Sequence, residues 1–379
     1  MNNEVFITLI SKFLPNSPVA NDDMEQYLGM INQKPSIAKR IILRNNGIKQ
    51  RYYALDAQGN MTHTNVELAV RAVQLLCRDG FSIDDMELLS AGTASPEQIM
   101  PSHGVMVHGQ LGGKNAEVVS FSGSCCTGIQ ALKYAWLSVL SGEKNNAVCV
   151  ASERLSAWMK DSYFEEEVNK LNRLPEKPYL AFEKEFLRWM LSDGAAAVLL
   201  RNKPAKEGLS FRIEWIDLCS YASIRKTCMY AGGQRDENGE IHGWASFPEE
   251  EWLSKSLFAL KQDTRLLGEN ITQLGGCFLQ EVLEKRKLNA GEIDWFLPHL
   301  SSMFFKEKTM TELIRLGYSI PEEKWFVNLP TIGNVASASN FLMLEELYHS
   351  NKLEKGHKIL MLTPESARFS YGICLLTVC

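Results

Sequence analysis

The sequence lacks several features that would assign it to a common functional class. It contains no run of about eighteen apolar residues, which a transmembrane helix needs. Its first residues include an early acidic residue and do not follow the basic, apolar, small-residue order of a secretory signal. The formal net charge of −5 argues against nucleic acid as the main partner. We therefore expect a cytoplasmic protein that does not span a membrane.

The nine cysteines show neither a metal-binding nor a disulfide pattern. Their number is odd, their spacing does not repeat, and no Cys-x-x-Cys occurs. Free thiols in a reducing compartment are the simplest interpretation. The sequence also lacks a phosphate-binding glycine loop and a dinucleotide fingerprint. We therefore expect no metal site and no tightly bound cofactor.

What the sequence does contain is an internal repeat. Each half runs through a helix, an apolar strand, a turn, a helix, a second strand, a small-residue turn, a third helix and further strands; the small-residue turns are 122–128 and 331–337. Alternation of this kind predicts an α/β protein in which two halves, 1–205 and 206–379, form a duplicated five-layer α/β/α/β/α structure. A charged segment at about 157–188 does not fit the repeat, and it predicts either a solvated surface helix or a cover for a site or dimer surface.

Three residues that could take part in catalysis fall in corresponding turns of the two halves. Cys126, His299 and Asn334 each follow a strand and precede a helix. In open α/β sheets, functional residues collect beyond the carboxyl ends of the strands. A twofold relation between the halves would bring the first-half turn opposite both second-half turns. The repeat therefore predicts that these three residues converge.

The turn that contains Cys126 suits a nucleophile. Small residues flank it, and a helix N-terminus favours the thiolate over the thiol. A thiolate attacks thioesters readily and leaves readily afterwards. Cys125 is the rival, and two packed core thiols are the alternative without function.

The side chains of His299 and Asn334 are the predicted hydrogen-bond donors. His299 directly follows Pro298, which fixes the approach of the chain. A neutral imidazole and an amide can both donate to a thioester oxygen as it becomes an enolate. The alternatives are a structural histidine and an asparagine that merely forms a turn.

These residues and the segments around them resemble the motifs of a known enzyme family. Along essentially its whole length the chain resembles the β-ketoacyl synthase III family of the thiolase superfamily. The resemblance rests on five segments in the family's order: 46–51, 124–128, 192–195, 294–299 and 333–339. In the second segment the family's nucleophilic cysteine is followed by a small residue and a glycine, as Cys126 is followed by Thr127 and Gly128.

The resemblance implies a thiolase fold and a Cys126–His299–Asn334 triad. An acyl group would pass from a CoA or acyl-carrier-protein thioester to Cys126. A second thioester, malonyl or β-ketoacyl, would then supply a carbanion for Claisen condensation. The backbone N–H groups of Cys126 and Arg368 would hold the oxyanion. The family also implies a homodimer whose substrates arrive as CoA or phosphopantetheine thioesters.

Departures from the family pattern point to unusual substrates. Residues 300–302 replace the family's Gln-Ala-Asn, and no tryptophan near Ile41 is available to stack a CoA adenine. Carrier-protein thioesters are therefore favoured, and the branch resembles specialised enzymes of the dialkylresorcinol or aryl-polyene type. Because carrier proteins are acidic, basic residues are expected to bind them, with Arg44, Arg51 and Lys306 as candidates.

Three other functions compete with condensation. The first is acyl transfer from Cys126 without carbon–carbon bond formation, and the second is a role as the partner subunit of a heterodimeric synthase. The third, hydroxymethylglutaryl-type condensation, requires a carboxylate base. Glu153 is the candidate for that base, but its echo at Glu365 suggests that both carboxylates are structural.

Overall fold

The computed structural model describes residues 4–36, 38–164 and 186–379. Within these ranges the first-half strands are β1 (Phe6–Phe13), β2 (Val19–Ala20), β3 (Gln50–Arg51), β4 (Leu88–Thr93), β5 (Glu117–Ser122), β6 (Asn146–Glu153) and β7 (Gly194–Arg201). The first-half helices are α1 (Met24–Leu28), α2 (Lys39–Asn46), α3 (Asn65–Gln74), α4 (His103–Leu111) and α5 (Thr127–Leu140).

The second half contains the remaining elements. Its strands are β8 (Phe211–Ser220), β9 (Met229–Tyr230), β10 (Gly233–Arg235), β11 (Ile241–Gly243), β12 (Lys261–Gln262), β13 (Trp295–Pro298), β14 (Lys358–Glu365) and β15 (Ser370–Val378). Its helices are α6 (Glu250–Ser254), α7 (Thr264–Arg286), α8 (Phe304–Arg315), α9 (Leu329–Ile332) and α10 (Ser339–Tyr348). The predicted boundary at 205/206 falls in the loop between β7 and β8.

The sheet shows the duplication directly. Nine strands follow the order β13-β14-β15-β8-β1-β7-β6-β4-β5. The β13–β14 and β6–β4–β5 pairs are parallel, and the strands between them pair antiparallel. Within this sheet the halves join between β1 and β8, where Phe6 pairs with Arg212 and Ile7 with Phe211. Read outward from this junction, β1-β7-β6-β4 corresponds to β8-β15-β14-β13.

One predicted strand is reduced to a single bridge. The sequence predicts a strand at 325–328, in the position that β5 holds in the first half, but Trp325 forms only an isolated parallel bridge to Phe296. Pro330 follows closely and begins a short helix instead. The Trp325 ring packs edge-on against Phe296 with centroids 4.8 Å apart, so side-chain packing replaces the strand ladder.

Helices complete the five layers that the repeat predicts. Helices α3 and α4 cover the outer face of the first-half strands, and α7 covers β14 and β15 with α8 packed against it. Helices α5 and α10 form the middle layer: α5 contacts β4 and β6 on one side and β8 and β15 on the other. Both middle helices are apolar on most faces because both are enclosed. The predicted thiolase fold is confirmed.

Most of the predicted insertion at 157–188 cannot be compared with the structure, because residues 165–185 lie outside the described ranges. Its two ends are described. They form short 3₁₀ turns at Asp161–Tyr163 and Leu187–Trp189.

The two halves approach most closely where α5 begins. A Cβ placed on Gly128 would lie 2.2 Å from the carbonyl oxygen of Ser337 and 3.2 Å from the Ala151 Cβ. Such a distance to a backbone atom is far below van der Waals contact. Only glycine therefore allows the N-terminus of α5 to lie against the turn that contains Asn334.

We expect Gly128→Ala to destabilise the protein by about 1–3 kcal/mol or more, because the backbone of an enclosed turn cannot move aside. Gly268→Ala is the matched control, since Gly268 is also helical and its added Cβ would meet nothing within 4 Å. The control should be neutral or stabilising by up to about 1 kcal/mol. Urea unfolding of both variants measures the difference, and equal midpoints would contradict the close approach described here.

Candidate active site

The predicted nucleophile lies where β5 turns into α5. Cys126 is the residue just before α5, and the Thr127 hydroxyl donates to the Ser124 carbonyl oxygen (2.8 Å) to close the turn. The two adjacent thiols face different surroundings. Cys126 is 1% exposed, and its thiol donates to the Thr363 carbonyl oxygen (3.2 Å) on β14. Cys125 is 7% exposed and lines two cavities.

His299 follows the last residue of β13, as the sequence predicts. Its backbone N–H donates to the Leu362 carbonyl oxygen (2.8 Å), which continues the β13–β14 ladder and fixes the position of the residue. The imidazole is enclosed, and burial lowers its pKa to about 4, so it is neutral at physiological pH. Its Nε2 atom has no partner among the described residues. A buried polar atom without a partner is costly, and a substrate oxygen or proton would satisfy it.

Asn334 lies in the Gly-Asn turn opposite Cys125. Its backbone N–H donates to the Met190 carbonyl oxygen (3.1 Å), and its side-chain Oδ1 accepts from the Ala336 N–H (2.9 Å). The side-chain carbonyl therefore holds the turn, which leaves the Nδ2 amide as the group that can donate elsewhere. Gly333 precedes it with φ +79°, and a Cβ there would lie 2.7 Å from the Ser192 Cβ. The glycine is thus required by both conformation and space.

Two cavities meet at the Cys125 turn. The first, of about 620 Å³ including space open to solvent, lies between α7 and α8 and begins at His299. The second, of about 770 Å³ counted in the same way, contains Asn334 and is lined by the two ends of the 157–188 segment through Trp158 and Leu187. Cys125, Ser301 and Ser366 line both cavities. The first-half turn and both second-half turns therefore converge, as the repeat predicts.

The thiols are not activated in this structure. Burial raises the pKa of Cys126 well above its ordinary value, with a further contribution from the Glu365 carboxylate. The same two causes, in the same order, raise the pKa of Cys125 to about 12. Both shifts disfavour the thiolate that a helix N-terminus was expected to favour, with burial as the larger cause. The Cys126 N–H donates to Glu365 Oε2 (3.3 Å). A carboxylate therefore occupies the position at which the helix would stabilise negative charge.

Glu365 is the residue that sequence analysis did not assign to the site. It ends β14, and its counterpart Glu153 ends β6. Glu153 accepts from the Ser337 backbone N–H (3.3 Å) and hydroxyl and from the Ser95 hydroxyl (2.6 Å). Each glutamate thus reaches from its own half to the functional turn of the other half. The sequences around Glu153 and Glu365 resemble each other, and this similarity was the signal available in the sequence. It points to the structural role predicted for both carboxylates.

Burial raises the pKa of both carboxyl groups, that of Glu153 to about 7. The hydrogen bonds that Glu153 accepts oppose this shift only in part. A hydroxymethylglutaryl-type mechanism would need Glu153 to face a substrate. It does not line either cavity, and its oxygens are occupied by the turn that contains Ser337.

The predicted oxyanion donor at Arg368 is not placed with the cavities. Arg368 is exposed, and its guanidinium donates to the Arg225 carbonyl oxygen (3.2 Å). The next residue, Phe369, has φ +58° and is fully buried. Ser366 and Ala367 line the second cavity in its place. The other predicted donor, the Cys126 N–H, is held by Glu365.

The predicted carrier-binding residues divide into three cases. Arg51 is fully buried and donates to Asn21 Oδ1 (2.5 Å), so its assignment to a docking surface is wrong. Its guanidinium also donates to the Trp189 carbonyl oxygen (3.4 Å). Arg44 is exposed on α2. Lys306 is partly exposed and forms an ion pair with Glu322 at 2.6 Å.

In the described part of the chain, no group of three or more histidine, cysteine or acidic side chains is arranged to hold a metal ion. No helix in the same ranges is both long and apolar enough to cross a membrane.

The chain is similar in sequence to 3-oxoacyl-[acyl-carrier-protein] synthases. Residues 283–378 match the family described as 3-oxoacyl-[acyl-carrier-protein (ACP)] synthase III C terminal. The chain is 25% identical over 369 residues to the β-ketoacyl-[acyl-carrier-protein] synthase III of Ehrlichia ruminantium strain Welgevonden, an alignment that covers 97% of each protein.

Two solved structures share the fold. AbyA1, a tetronic acid condensing enzyme, superposes with a TM-score of 0.74 at 19% identity over 98% of this chain and 99% of its own. An OleA variant of Xanthomonas campestris with bound lauric acid and lauroyl-CoA superposes with a TM-score of 0.75 at 18% identity over the whole of both chains. The chain is thus similar along its length to β-ketoacyl-[acyl-carrier-protein] synthase III enzymes, and it shares the fold of solved condensing enzymes.

Proposed function

We propose that this enzyme transfers an acyl group from a thioester to Cys126 and then joins it to the α-carbon of a second thioester. The observation that carries the proposal is the convergence of three turns on two apolar cavities that share Cys125, Ser301 and Ser366. A condensing enzyme needs this arrangement, because an acyl-thiol and a carbanion must meet in a space from which water is excluded.

Cys126 is the proposed acceptor because of its position at the N-terminus of α5. Gly128, two residues later, is the point at which α5 contacts the Asn334 turn, and Cys126 is the last residue before the helical N–H groups begin. Its sulfur must rotate away from the Thr363 carbonyl to reach the cavities. Cys125 already faces them and is the competing acceptor.

Acylation leaves no net charge behind. The bond between the acyl carbon and the donor sulfur breaks, the bond to the cysteine sulfur forms, and the cysteine proton leaves with the donor thiol. A neutral thiol in the resting enzyme suits a buried site, because a thiolate without a counter-charge would be costly there. The raised pKa of Cys126 is consistent with a resting thiol.

His299 and Asn334 are proposed to stabilise the enolate of the second thioester. The lowered pKa of His299 keeps the imidazole neutral, and Asn334 retains a free amide donor. Neutral donors that are fixed in position stabilise a developing oxyanion without a reorganisation cost. After CO2 loss or proton loss at the α-carbon, the new carbon–carbon bond forms and the cysteine sulfur is released.

We propose carrier proteins as the main thioester source. Arg44 is exposed on α2, whose C-terminal end accepts the Met303 N–H at the Asn46 carbonyl (2.9 Å). The start of α8 therefore adjoins α2, and Lys308 there lies 4.5 Å above the exposed ring of Phe304. This basic and apolar surface adjoins the turn that opens the first cavity, and it complements an acidic carrier.

We also propose that two copies of the chain form a homodimer by pairing along β5. Within the described sheet β5 is an edge strand, and an exposed edge is a template for pairing with another chain. Ile99 and Met100, ahead of α4, are 75% and 83% exposed. Apolar exposure next to an unpaired edge favours a second copy of this chain as the partner.

The acceptor is tested by weighing the intact protein after incubation with acyl-carrier thioesters. We expect wild type and Cys125→Ala to gain one acyl mass, and Cys126→Ala to gain none. The reverse pattern would assign the acceptor to Cys125. With malonyl-carrier protein added, a new ketone and CO2 should form, and His299→Ala and Asn334→Ala should lower that step by about 100-fold or more while acylation continues. Transfer without a ketone product would indicate a simple acyltransferase.

After burial, the Glu365 carboxylate is the next contributor to the raised pKa of Cys126. We expect Glu365→Gln to lower the pKa of Cys126, because the substitution removes the nearest negative charge, so the pH profile of Cys126 alkylation by iodoacetamide should move to lower pH. Glu153→Gln is the matched control, since that carboxylate braces the opposite turn, and the Cys126 profile should then remain unchanged. Peptide mass spectrometry measures both rates; an unchanged profile in Glu365→Gln would contradict this view of the helix N-terminus.

Arg44→Glu should raise the KM for carrier-bound donors and leave kcat unchanged, with an effect that shrinks as salt increases. Lys203→Glu makes the same charge change after β7, whose C-terminal end lies at the opposite end of the sheet from the site. That control should not alter KM. Arg51→Ala should instead lower the unfolding midpoint, as expected for a buried residue. Equal effects on KM in the Arg44 and Lys203 variants would contradict the proposed docking surface.

A further inference from the structure

Two of the described residues that line the cavities have a buried polar atom without a partner: His299 Nε2 in the first cavity and Gln262 Oε1 in the second. The proposed condensation uses His299 but gives Gln262 no role. Gln262 is 7% exposed, so its carbonyl oxygen has lost most of its contact with water. A buried acceptor without a donor is costly, and a ligand that supplies the donor removes that cost.

Strand alternation directs the Gln262 side chain into the second cavity. Lys261, its neighbour on β12, faces the other way: its ammonium donates to Gln234 Oε1 (2.8 Å) and to the Lys255 carbonyl oxygen (3.3 Å). Successive side chains of a strand point to opposite faces, so Gln262 points away from these groups. It lines the second cavity beside Leu260.

The orientation of the Gln262 amide is set by Ser366. The amide Nε2 of Gln262 donates to the Ser366 hydroxyl oxygen (3.0 Å), and that hydroxyl donates to the Met229 sulfur (3.8 Å). Because its proton is directed at the sulfur, the hydroxyl accepts the amide N–H. The carbonyl oxygen of Gln262 is therefore the end of the amide that is left for a ligand.

Backbone hydrogen bonds hold Gln262 and Ser366 at this spacing. Gln262 pairs with Met229 across β12 and β9. The Ala367 carbonyl oxygen accepts from the Cys228 N–H (2.8 Å) and the Met229 N–H (3.1 Å), which ties the segment that contains Ser366 to β9. An acceptor that is fixed before the ligand arrives binds a donor at little cost in ordering.

The Gln262–Ser366 pair lies near the position of the thioester end of an acyl chain. Ser366 lines both cavities, and the residue before it, Glu365, accepts the Cys126 N–H (3.3 Å). The second cavity is also lined by three successive residues of the acceptor turn, 123–125. An acyl group held on this turn would extend into the second cavity, and its first carbons would lie beside the pair.

The free acceptor suits a hydroxyl on the acyl chain better than the pantetheine arm. The arm carries two amides, each with an N–H and a C=O group. Leu260 and Met229, which adjoin Gln262 along the chain and across the strand pair, offer apolar side chains to the same cavity. Burying amide groups that find no partner costs more than one hydrogen bond returns. A chain with a single hydroxyl brings one donor to one acceptor.

We infer that Gln262 is a specificity-determining residue that selects an acyl donor with a hydroxyl on its third carbon, a 3-hydroxyacyl thioester. This inference rests on the proposed acylation and narrows its donor. The hydroxyl donates to Gln262 Oε1 and takes no part in the bond changes. The carbon–sulfur bond of the donor breaks, the bond to the cysteine sulfur forms, and the thiol proton leaves with the donor thiol. Because the acceptor is fixed on one wall, it favours one enantiomer.

The test compares three donors on the same carrier protein: hexanoyl, (3R)-3-hydroxyhexanoyl and (3S)-3-hydroxyhexanoyl thioesters. Intact-protein mass spectrometry measures the rate of acylation of wild type and of two variants. Gln262→Met keeps an unbranched side chain of similar length and removes the amide. Gln234→Met is the matched control, because it makes the same change where the carbonyl already accepts from Lys261. Melting temperatures establish that each variant is folded.

We expect one 3-hydroxyhexanoyl enantiomer to acylate wild type about tenfold or more faster than hexanoyl, since the hexanoyl chain leaves Gln262 Oε1 without a donor. Gln262→Met should reduce this ratio to about one, because the hydroxyl loses its acceptor. Gln234→Met should keep the wild-type ratio. If Gln262→Met does not fold, Ser366→Ala takes its place: it removes the hydroxyl that orients the amide and should also lower the ratio.

Three outcomes would overturn the inference. A wild-type ratio near one with both enantiomers would show that no hydroxyl is selected, and the proposed acylation would stand. Equal slowing of all three donors in Gln262→Met would assign the Gln262 carbonyl to the pantetheine arm. A ratio that survives the loss of the amide would place the selection elsewhere. If none of the donors acylates wild type, the proposed function itself fails, and the inference fails with it.

Discussion

The structure depends on one close contact between its halves, where the N-terminus of α5 lies against the carbonyl of Ser337. Gly128 makes the contact possible, since any Cβ there would lie 2.2 Å from that oxygen. Two carboxylates brace it from either side: Glu153 holds the Ser337 turn, and Glu365 holds the Cys126 turn. Neither half could position the site alone, because the Cys126 turn and the Ser337 turn are each held by a glutamate of the other half.

This bracing has an electrostatic consequence. Burial raises the pKa of the Cys126 thiol, and the carboxylate that holds the acceptor turn raises it further while it accepts the helix N–H that would otherwise favour a thiolate. The resting enzyme therefore holds a neutral thiol beside a neutral imidazole. A site of this kind is compatible with two apolar cavities, because no unpaired charge has to be buried between them.

Much of the arrangement could be predicted from the sequence, because duplication leaves a readable pattern. The order of helix, strand and turn was enough to predict five layers and the convergence of the three turns that contain Cys126, His299 and Asn334, although Cys126 itself lines neither cavity. Side-chain direction was not predictable: adjacent cysteines differ in surroundings through a rotation at the helix start, and only coordinates show that Cys125 lines the cavities. Long cations were misjudged for a similar reason. Arg51 reads as a surface residue in sequence, yet its guanidinium reaches Asn21 in the interior.

The structure of the protein after incubation with a dodecanoyl thioester tests the central claim most directly. The account predicts one acyl chain bonded to the Cys126 sulfur, with that sulfur turned away from the Thr363 carbonyl and the chain extending past Trp158 and Leu260 in the second cavity. The cavity between α7 and α8 should remain free of the chain. Acyl density on Cys125 or on a cysteine remote from both cavities, or a chain that enters the α7–α8 cavity from the sulfur, would contradict it.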